Sequence, residues 1–392
     1  MITRYLGLIK KHLRAINKPL KCGLYIHYPF CQSKCPYCHF FSLIWKPELH
    51  QAWLEGLKKE IRLVANNLSE FFVIETVYFG GGSPSLLTPE EVSAIVREIR
   101  SLFQVELQEM TLEVNPEAEE RRIPDWLEAG VSRLSLGVQS FDPQVLRVLG
   151  RRSSVETIVR LFQTARRAGA CNLNVDLMIG VPGESPATLK TNLGYLKSLH
   201  PEHISVYMLE EIDQVPFKKI WEKNSLSEDL IADLYHEYRH ELEEAGWQQY
   251  EISNFARTGF QCQHNLKYWK YEPFLGLGPS ASSHLGPFRW TNSSHFKPWL
   301  SALNSSKQTF SEFLRLEPAA EINEALAFGL RLREGVDWLG LKGRQPDFDF
   351  SGYEKRINQL VRLGLVRQEN FNLVVPEEKQ LVLNSIISEL IE

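Results

Sequence analysis

The chain predicts an α/β protein, an incomplete (β/α) barrel followed by a smaller helical domain of winged-helix-like type. Three observations carry that expectation. From Gly23 to about residue 257, short β-branched or aromatic runs alternate with amphipathic helical runs. Glycine or polar residues gather at the C-terminal ends of successive strand candidates, where barrels build their mouth. After residue 257 the alternation stops.

The elements follow in chain order. Residues 1–22 are a basic lead-in, in which Arg4, Lys10, Lys11, Arg14, Lys18 and Lys21 all precede the first acid, Glu48. Ile2, Leu6, Ile9, Leu13 and Ile16 recur at helical spacing, which gives a short helix lying on the barrel. An organellar targeting peptide and a peripheral membrane anchor share that composition. Strands are predicted at 24–30, 76–80, 110–115, 133–139, 173–179 and 203–209, and helices at 89–103, 154–169, 187–200 and 228–246. Thr88 and Glu91 form a capping box around Pro89, and Ser185-Pro186 repeats that start. Gly169 and Gly246 stand where left-handed caps close helices.

Repeated strand–helix units over 23–257 give a parallel sheet with right-handed crossovers. An open doubly wound sheet satisfies the same pattern. Gly80, Gly81, Gly82, Glu113, Asn115, Gln139 and Asp176, at or near strand ends, favour the barrel. Residues 258–300 read as a separate aromatic, glycine-rich segment. Residues 301–392 form the C-terminal domain, with helices at 318–333 and 353–363, a β-like 371–375 and a final helix.

Composition narrows the function. Hydrophobic content of 43% and charged content of 23% are those of a soluble globular protein. Lys plus Arg number 44 against 48 Asp plus Glu, and the net charge of −4 gives no nucleic-acid footprint. No run of about 18 apolar residues predicts a membrane span. The sparse cysteines suit a reducing, cytoplasmic compartment.

Three of the six cysteines fall in one short stretch, Cys31-Gln-Ser-Lys-Cys35-Pro-Tyr-Cys38. Thiolates at that density suit a soft metal centre. Zinc competes, but closed zinc sites take four ligands in two short pairs, and Cys22, Cys171 and Cys262 stand alone. Three thiolates also fall one short of the shell of an ordinary [4Fe–4S] cluster, which leaves one iron open. An open iron can chelate the amino group and carboxylate of an adenosylated amino acid. Gly80–Gly82 would let backbone approach such a ligand. Glu113, Gln139 and Asp176 would hold its ammonium or ribose, and the planar fork of Arg151 its carboxylate. Singly, each has a plainer reading: a tight turn, a helix cap, a solvated charge.

Taken together, these motifs resemble the radical S-adenosylmethionine superfamily. They comprise the C-x3-C-x2-C cluster motif, Tyr25-Ile-His-Tyr-Pro-Phe-Cys31, Gly-Gly-Gly-Ser83-Pro, Leu112-Glu113-Val-Asn-Pro, Leu136-Gly-Val-Gln139 and Val175-Asp176-Leu-Met-Ile-Gly. The resemblance is to the branch of oxygen-independent coproporphyrinogen III dehydrogenases and HemW heme chaperones. It implies that Cys31, Cys35 and Cys38 ligate a [4Fe–4S] cluster. It also implies that Tyr25, Tyr37, Gly81, Gly82, Ser83, Glu113, Gln139, Arg151 and Asp176 contact S-adenosylmethionine, with Ser83 standing where threonine is usual.

Two features choose within the branch. Phe40 occupies the position of the further cysteine that the dehydrogenases carry, and His264-Asn265-Leu-Lys-Tyr268-Trp269 matches the H-N-x-x-Y-W motif of the chaperones. The resemblance then implies heme contacts at His264, Asn265, Tyr268 and Trp269. Its partners would be heme, a heme-acceptor protein and, if the cluster cycles, an electron donor. Radical decarboxylation of coproporphyrinogen III is the alternative activity, and a non-catalytic iron–sulfur scaffold a third. On the plain reading, His264 caps a turn while the aromatics fill a domain junction. Cys38-His39-Phe40 departs from the Cys-Asp-Phe common in the chaperones.

Overall fold

Alternation within each strand decides how the sheet is used. In the computed structural model, which describes residues 2–16, 18–212, 215–305 and 309–391, six parallel strands form the centre of a twelve-stranded sheet. They are β1 (Leu20–Tyr28), β2 (Phe72–Gly81), β3 (Gln104–Val114), β4 (Arg133–Gln139), β5 (Leu173–Ile179) and β6 (His203–Met208), paired in chain order. Leu24, Ile26, Val77, Phe79, Leu112, Leu134, Val175 and Ile204 are all buried in one apolar core. Their alternates along the same strands, among them Tyr25, Tyr78, Glu113, Ser135, Asp176 and Ser205, are aromatic or polar and point to the opposite face.

Helices cover the apolar face. The lead-in helix α1 (Ile2–Ile16) buries Ile9 and Leu13. Its Tyr5 ring lies 4.5 Å from Phe313 and 5.6 Å from Phe310, so aromatic side chains of this protein occupy part of its apolar face. Ile2 and Arg4, part of the expected amphipathic pattern, have side chains outside the described residues. Trp53 and Leu57 of α2 (Pro47–Leu68), Ile95 and Ile99 of α3 (Pro89–Leu102) and Leu161 of α4 (Val155–Arg167) join the same core. So do Leu189 and Leu196 of α5 (Pro186–Leu199) and Leu234 and Tyr238 of α6 (Glu228–Glu244). The capping box at Thr88 and Glu91 forms as the sequence implies, and Gly169 and Gly246 adopt φ of 94° and 91°.

The sheet does not close into a barrel. Beyond β6 come antiparallel β7 (Asn254–Ala256) and Gln248–Gln249. On the other side β1 pairs in parallel with β8 (Phe274–Leu277), followed by antiparallel Ser282–Leu285, Phe288–Asn292 and Phe310–Arg315. The stretch after residue 257, which the sequence reads as loop-rich, returns to the open edge of β1, whose unpaired N–H and C=O groups need partners. The small C-terminal unit packs helices Pro318–Gly329, Trp338–Arg344, Ser351–Arg362 and Leu383–Ile391 around a second core, beside a three-stranded sheet. Among the described residues no helix is long and apolar enough to cross a membrane.

One buried tie locks the added strands to α2. The Glu60 carboxylate accepts from the Gly278 N–H at 2.7 Å, Asn292 Nδ2 at 2.8 Å and Trp299 Nε1 at 3.1 Å. The Trp299 ring fills the space above Gly56, where a Cβ would lie 2.7 Å from it. Trp299→Ala should therefore destabilise the fold by about 3–5 kcal/mol, read as a fall in the urea midpoint.

Candidate functional site

The cysteine loop is pinned at its base. Phe30–Cys31 pairs in parallel with Leu43–Ile44, and the Trp45 N–H donates to the Cys31 carbonyl at 2.9 Å. A third anchor lies beneath it. His27 Nε2 is 3.0 Å from the Phe41 carbonyl, so Nε2 carries the proton and Nδ1 accepts from the Tyr25 hydroxyl at 3.0 Å. Burial holds the His27 pKa down to about 4, which keeps the ring neutral.

The three glycines are dictated by space. A Cβ on Gly80 would meet the Tyr25 and Tyr78 rings at 2.9 Å, and one on Gly82 would meet the Phe30 carbonyl at 2.6 Å. Gly81 combines a φ of 112° with the His27 ring 2.6 Å from where a Cβ would sit. The loop after β2 therefore lies directly on the base of the cysteine loop, with Ser83 beside the Cys31 thiol.

Glu113 accepts from the Gly81 N–H at 3.1 Å and from the Tyr78 hydroxyl at 3.0 Å. Burial, and then the charge of Asp176, raise its pKa to about 7. Asp176 accepts from Asn174 Nδ2 at 2.7 Å and Ser135 Oγ at 3.2 Å. Arg151 reaches in from the other side. Its Nη2 donates to Asn115 Oδ1 at 2.7 Å and the Gly137 carbonyl at 2.8 Å, its Nη1 lies 3.7 Å from Cys35 Sγ, and its buried Nε has no partner. Gln139 ends β4 with a φ of 71°, a left-handed conformation rare for a side-chain-bearing residue. Tyr37 is half-buried, its ring edge-on to Phe217 at 6.4 Å.

The donor set fits an iron–sulfur cluster. All three loop cysteines are free thiols, and Cys38 feels the charges of Cys31 and Cys35. Three thiolates grouped on one loop suit a soft metal centre of that kind. The orphaned Arg151 Nε is suited to a polar ligand beside it.

The hexapeptide lies elsewhere, on the inner face. It forms a short helix, α7 (Gln263–Trp269), lodged against β2 and β3. Glu109 receives the N–H groups of Gln263 and His264 at 3.1 and 3.2 Å, and Lys267 Nζ makes a buried ion pair with Glu75 at 3.0 Å. His264 is completely buried. Its Nδ1 is 2.8 Å from Thr76 Oγ1 and its Nε2 2.7 Å from the Tyr268 hydroxyl. Burial, then the charges of Lys267 and Arg133, push its pKa down to about 3. Neither ring nitrogen is free for a metal in this conformation. Asn265 and Trp269 are half-buried, and the buried Trp269 Nε1 has no partner. The His264 ring stacks on Tyr78 at 5.1 Å, so the hexapeptide touches the mouth through the aromatic pair of β1 and β2.

Sequence reading did not single out His27, Tyr78, Ser135, Asn174 or Ser205. The signal was present, because parallel strands buried on both faces read as continuous apolar runs and these alternate.

Residues 25–196 match the radical SAM superfamily. The zebrafish (Danio rerio) radical S-adenosyl methionine domain-containing protein 1, mitochondrial, is 34% identical over 83% of this chain and 77% of its own. The Bacillus subtilis protein named heme chaperone HemW is 30% identical over 92% of this chain and 97% of its own. Among solved structures, coproporphyrinogen III oxidase (HemN) from Escherichia coli superposes with a TM-score of 0.84 at 23% identity, over 97% of this chain and 93% of that one.

Two outcomes test the site's energetics. Glu113 has a raised pKa, so its neutral form contributes stability below the ordinary carboxylate range, and that contribution is lost as pH rises through about 7. Glu113→Gln should remove that share, on the order of 3 kcal/mol between pH 4.5 and 8, in urea titrations of the cluster-free chain. His264→Ala would strand Thr76 and Tyr268 and leave a cavity, with a cost of about 3 kcal/mol by the same measurement.

Proposed function

This chain belongs to the radical SAM superfamily, and from that premise we propose that it is a heme chaperone, binding heme and passing it to an acceptor protein. The observation that carries the reading is likeness over nearly the whole chain to proteins named heme chaperone HemW. Phe40, in place of the dehydrogenases' further cysteine, supports it against the alternative of coproporphyrinogen III decarboxylation.

In this reading Cys31, Cys35 and Cys38 hold a [4Fe–4S] cluster with one iron open to S-adenosylmethionine. Such a cluster, when bound and reduced, would supply the electron for reductive cleavage of that ligand if cleavage is part of the cycle. The chain's own residues do the positioning. Gly80–Gly82 present backbone without side chains, and Arg151 offers its unpartnered Nε. Glu113 and Asp176 supply paired carboxylates, of which Glu113 ionises near neutrality. His27 fixes the distance between β1 and the cluster loop. The hexapeptide contacts at His264, Asn265, Tyr268 and Trp269 belong to the same reading, and engaging His264 requires α7 to leave its seat. All six cysteines are free, which supports a reducing compartment, the cytoplasm in our reading. An electron donor is needed only if the cluster cycles.

Anaerobic reconstitution followed by heme titration and product analysis tests the proposal. A Soret band shifted on binding of about one heme per chain, with no protoporphyrinogen formed, is the expected result. Protoporphyrinogen formation from coproporphyrinogen III would install the alternative. Replacing Cys31, Cys35 and Cys38 together by alanine should abolish the bound iron and sulfide, measured chemically.

A further inference from the structure

One buried cation on the inner face lacks a partner. Arg133, the first residue of β4, is 2% exposed, and its buried Nε makes no hydrogen bond. Among the described residues no hydrogen bond or ion pair engages the rest of its guanidinium. Strand register fixes its place. Arg133 pairs with Thr111, Thr111 with Tyr78 and Tyr78 with Tyr25, so these four side chains share a row across the inner face. Behind burial, its charge bears on the pKa of Glu113, Asp176, Tyr207, His203 and His264, groups of β3, β5, β6 and α7. The carboxylates of this face are committed to other donors. Glu109 receives the N–H groups of Gln263 and His264 and the Cys262 thiol. Glu113 receives the Gly81 N–H and the Tyr78 hydroxyl, and Asp176 receives Asn174 and Ser135. Between Arg133 and the mouth, the inner positions of β4 are Ser135 and Gly137, both small. A Cβ on Gly137 would have only the Gln139 amide at 3.3 Å and the Val114 carbonyl at 4.0 Å within contact. Tyr207, on the same face of β6, is 41% exposed. Side chains therefore leave room over the middle of this face.

We propose that Arg133 is a carboxylate anchor inside the sheet, and that it receives a propionate of a porphyrin entering from the mouth. The inference rests on the heme reading above and deepens it, by naming where the acidic edge of the macrocycle goes. A buried cation without a counter-charge burdens the empty fold, and water can take its hydrogen bonds but brings no charge. A carboxylate supplies both, because its two oxygens match the planar fork of the guanidinium. An ester supplies neither the charge nor the paired acceptors, so the anchor selects free acids. Arg151 has a different task, since its Nη2 is already held by Asn115 and the Gly137 carbonyl and its Nη1 lies against Cys35.

The test compares wild type with Arg133→Met, which stays buried without a charge, in the anaerobically reconstituted chain. Protoporphyrin IX and its dimethyl ester are titrated by fluorescence quenching; both are metal-free, so iron ligation plays no part. Cluster content is read from iron and sulfide, and stability from the urea midpoint. The variant should keep its cluster and a midpoint at or above that of wild type. Its affinity for protoporphyrin IX should fall at least about tenfold, while the ester binds both proteins alike. A variant that merely distorts the interior loses acid and ester equally, and that result overturns the anchor. A lowered midpoint with unchanged affinity for the acid makes Arg133 a structural residue and overturns it too. If sodium propionate raises the midpoint of wild type alone and porphyrin binding is the same in both proteins, the site takes a small anion and the porphyrin assignment is overturned. Each of these results leaves the chaperone reading standing. Failure of the wild type to bind either porphyrin overturns that reading and the anchor together.

Discussion

A parallel sheet covered by helices on one face must still satisfy whatever its other face carries, and here that face carries ionisable and hydroxylic groups from end to end. Each needs a partner, because a buried polar group without one costs about 1–3 kcal/mol. The structure meets that constraint by lateral pairing. His203 bonds Asn174 and Tyr250, Asn174 bonds Ser135 and Asp176, and Tyr78 bonds Glu113. The network fixes the side chains at the mouth before any ligand arrives. Burial, and then the charge of Asp176, raise the pKa of Glu113 against the opposing pull of its hydrogen bonds from Tyr78 and Gly81.

The same constraint explains why α7 sits where it does. A seven-residue helix is too short to hold itself together by backbone hydrogen bonds alone. It is held by the sheet's inner face: Glu109 at its first turn, Glu75 on Lys267 and Thr76 on His264. In return it adds partners to Glu75, which also holds Lys21 and Gln108, and to Glu109, which also holds Thr111. Gly23 is the position on β1 that admits it, since a Cβ there would meet Lys267 Cδ and Thr76 Oγ1 at 3.1 Å and His264 Cε1 at 3.2 Å.

Much of this was legible in the chain where the signal was local. β4 and β5 have the bounds that pattern alone gives, because apolar alternation starts and stops sharply at both ends. β2 and β3 begin earlier than expected, at Phe72 and Gln104, since a strand start such as Gln104–Gln108, partly exposed and rich in acids and amides, carries little strand signal. The cysteine loop and the glycine cradle announced themselves because each residue type there is required by chemistry or by space. The strands after residue 257 did not. Their pairing with β1 is non-local, and the glycines among them read as loop until the open edge they cover is known. His27 was hidden for a similar reason, its role resting on a contact with Phe41 fourteen positions on.

Heme ligation by His264, as proposed, can be weighed by what that residue would have to give up. Freeing His264 breaks two hydrogen bonds and exposes or strands Thr76, Tyr268, Glu109 and the buried Lys267–Glu75 pair. When that pair separates, Glu75 would keep Lys21 and Gln108, and Lys267 has Glu272 as a second partner. Apparent heme affinity at His264 would be reduced by the fraction of molecules in which α7 has left its seat. A role for the hexapeptide in heme binding would require an event that unseats α7, and the Tyr25 and Tyr78 rings lie between His264 and Gly80.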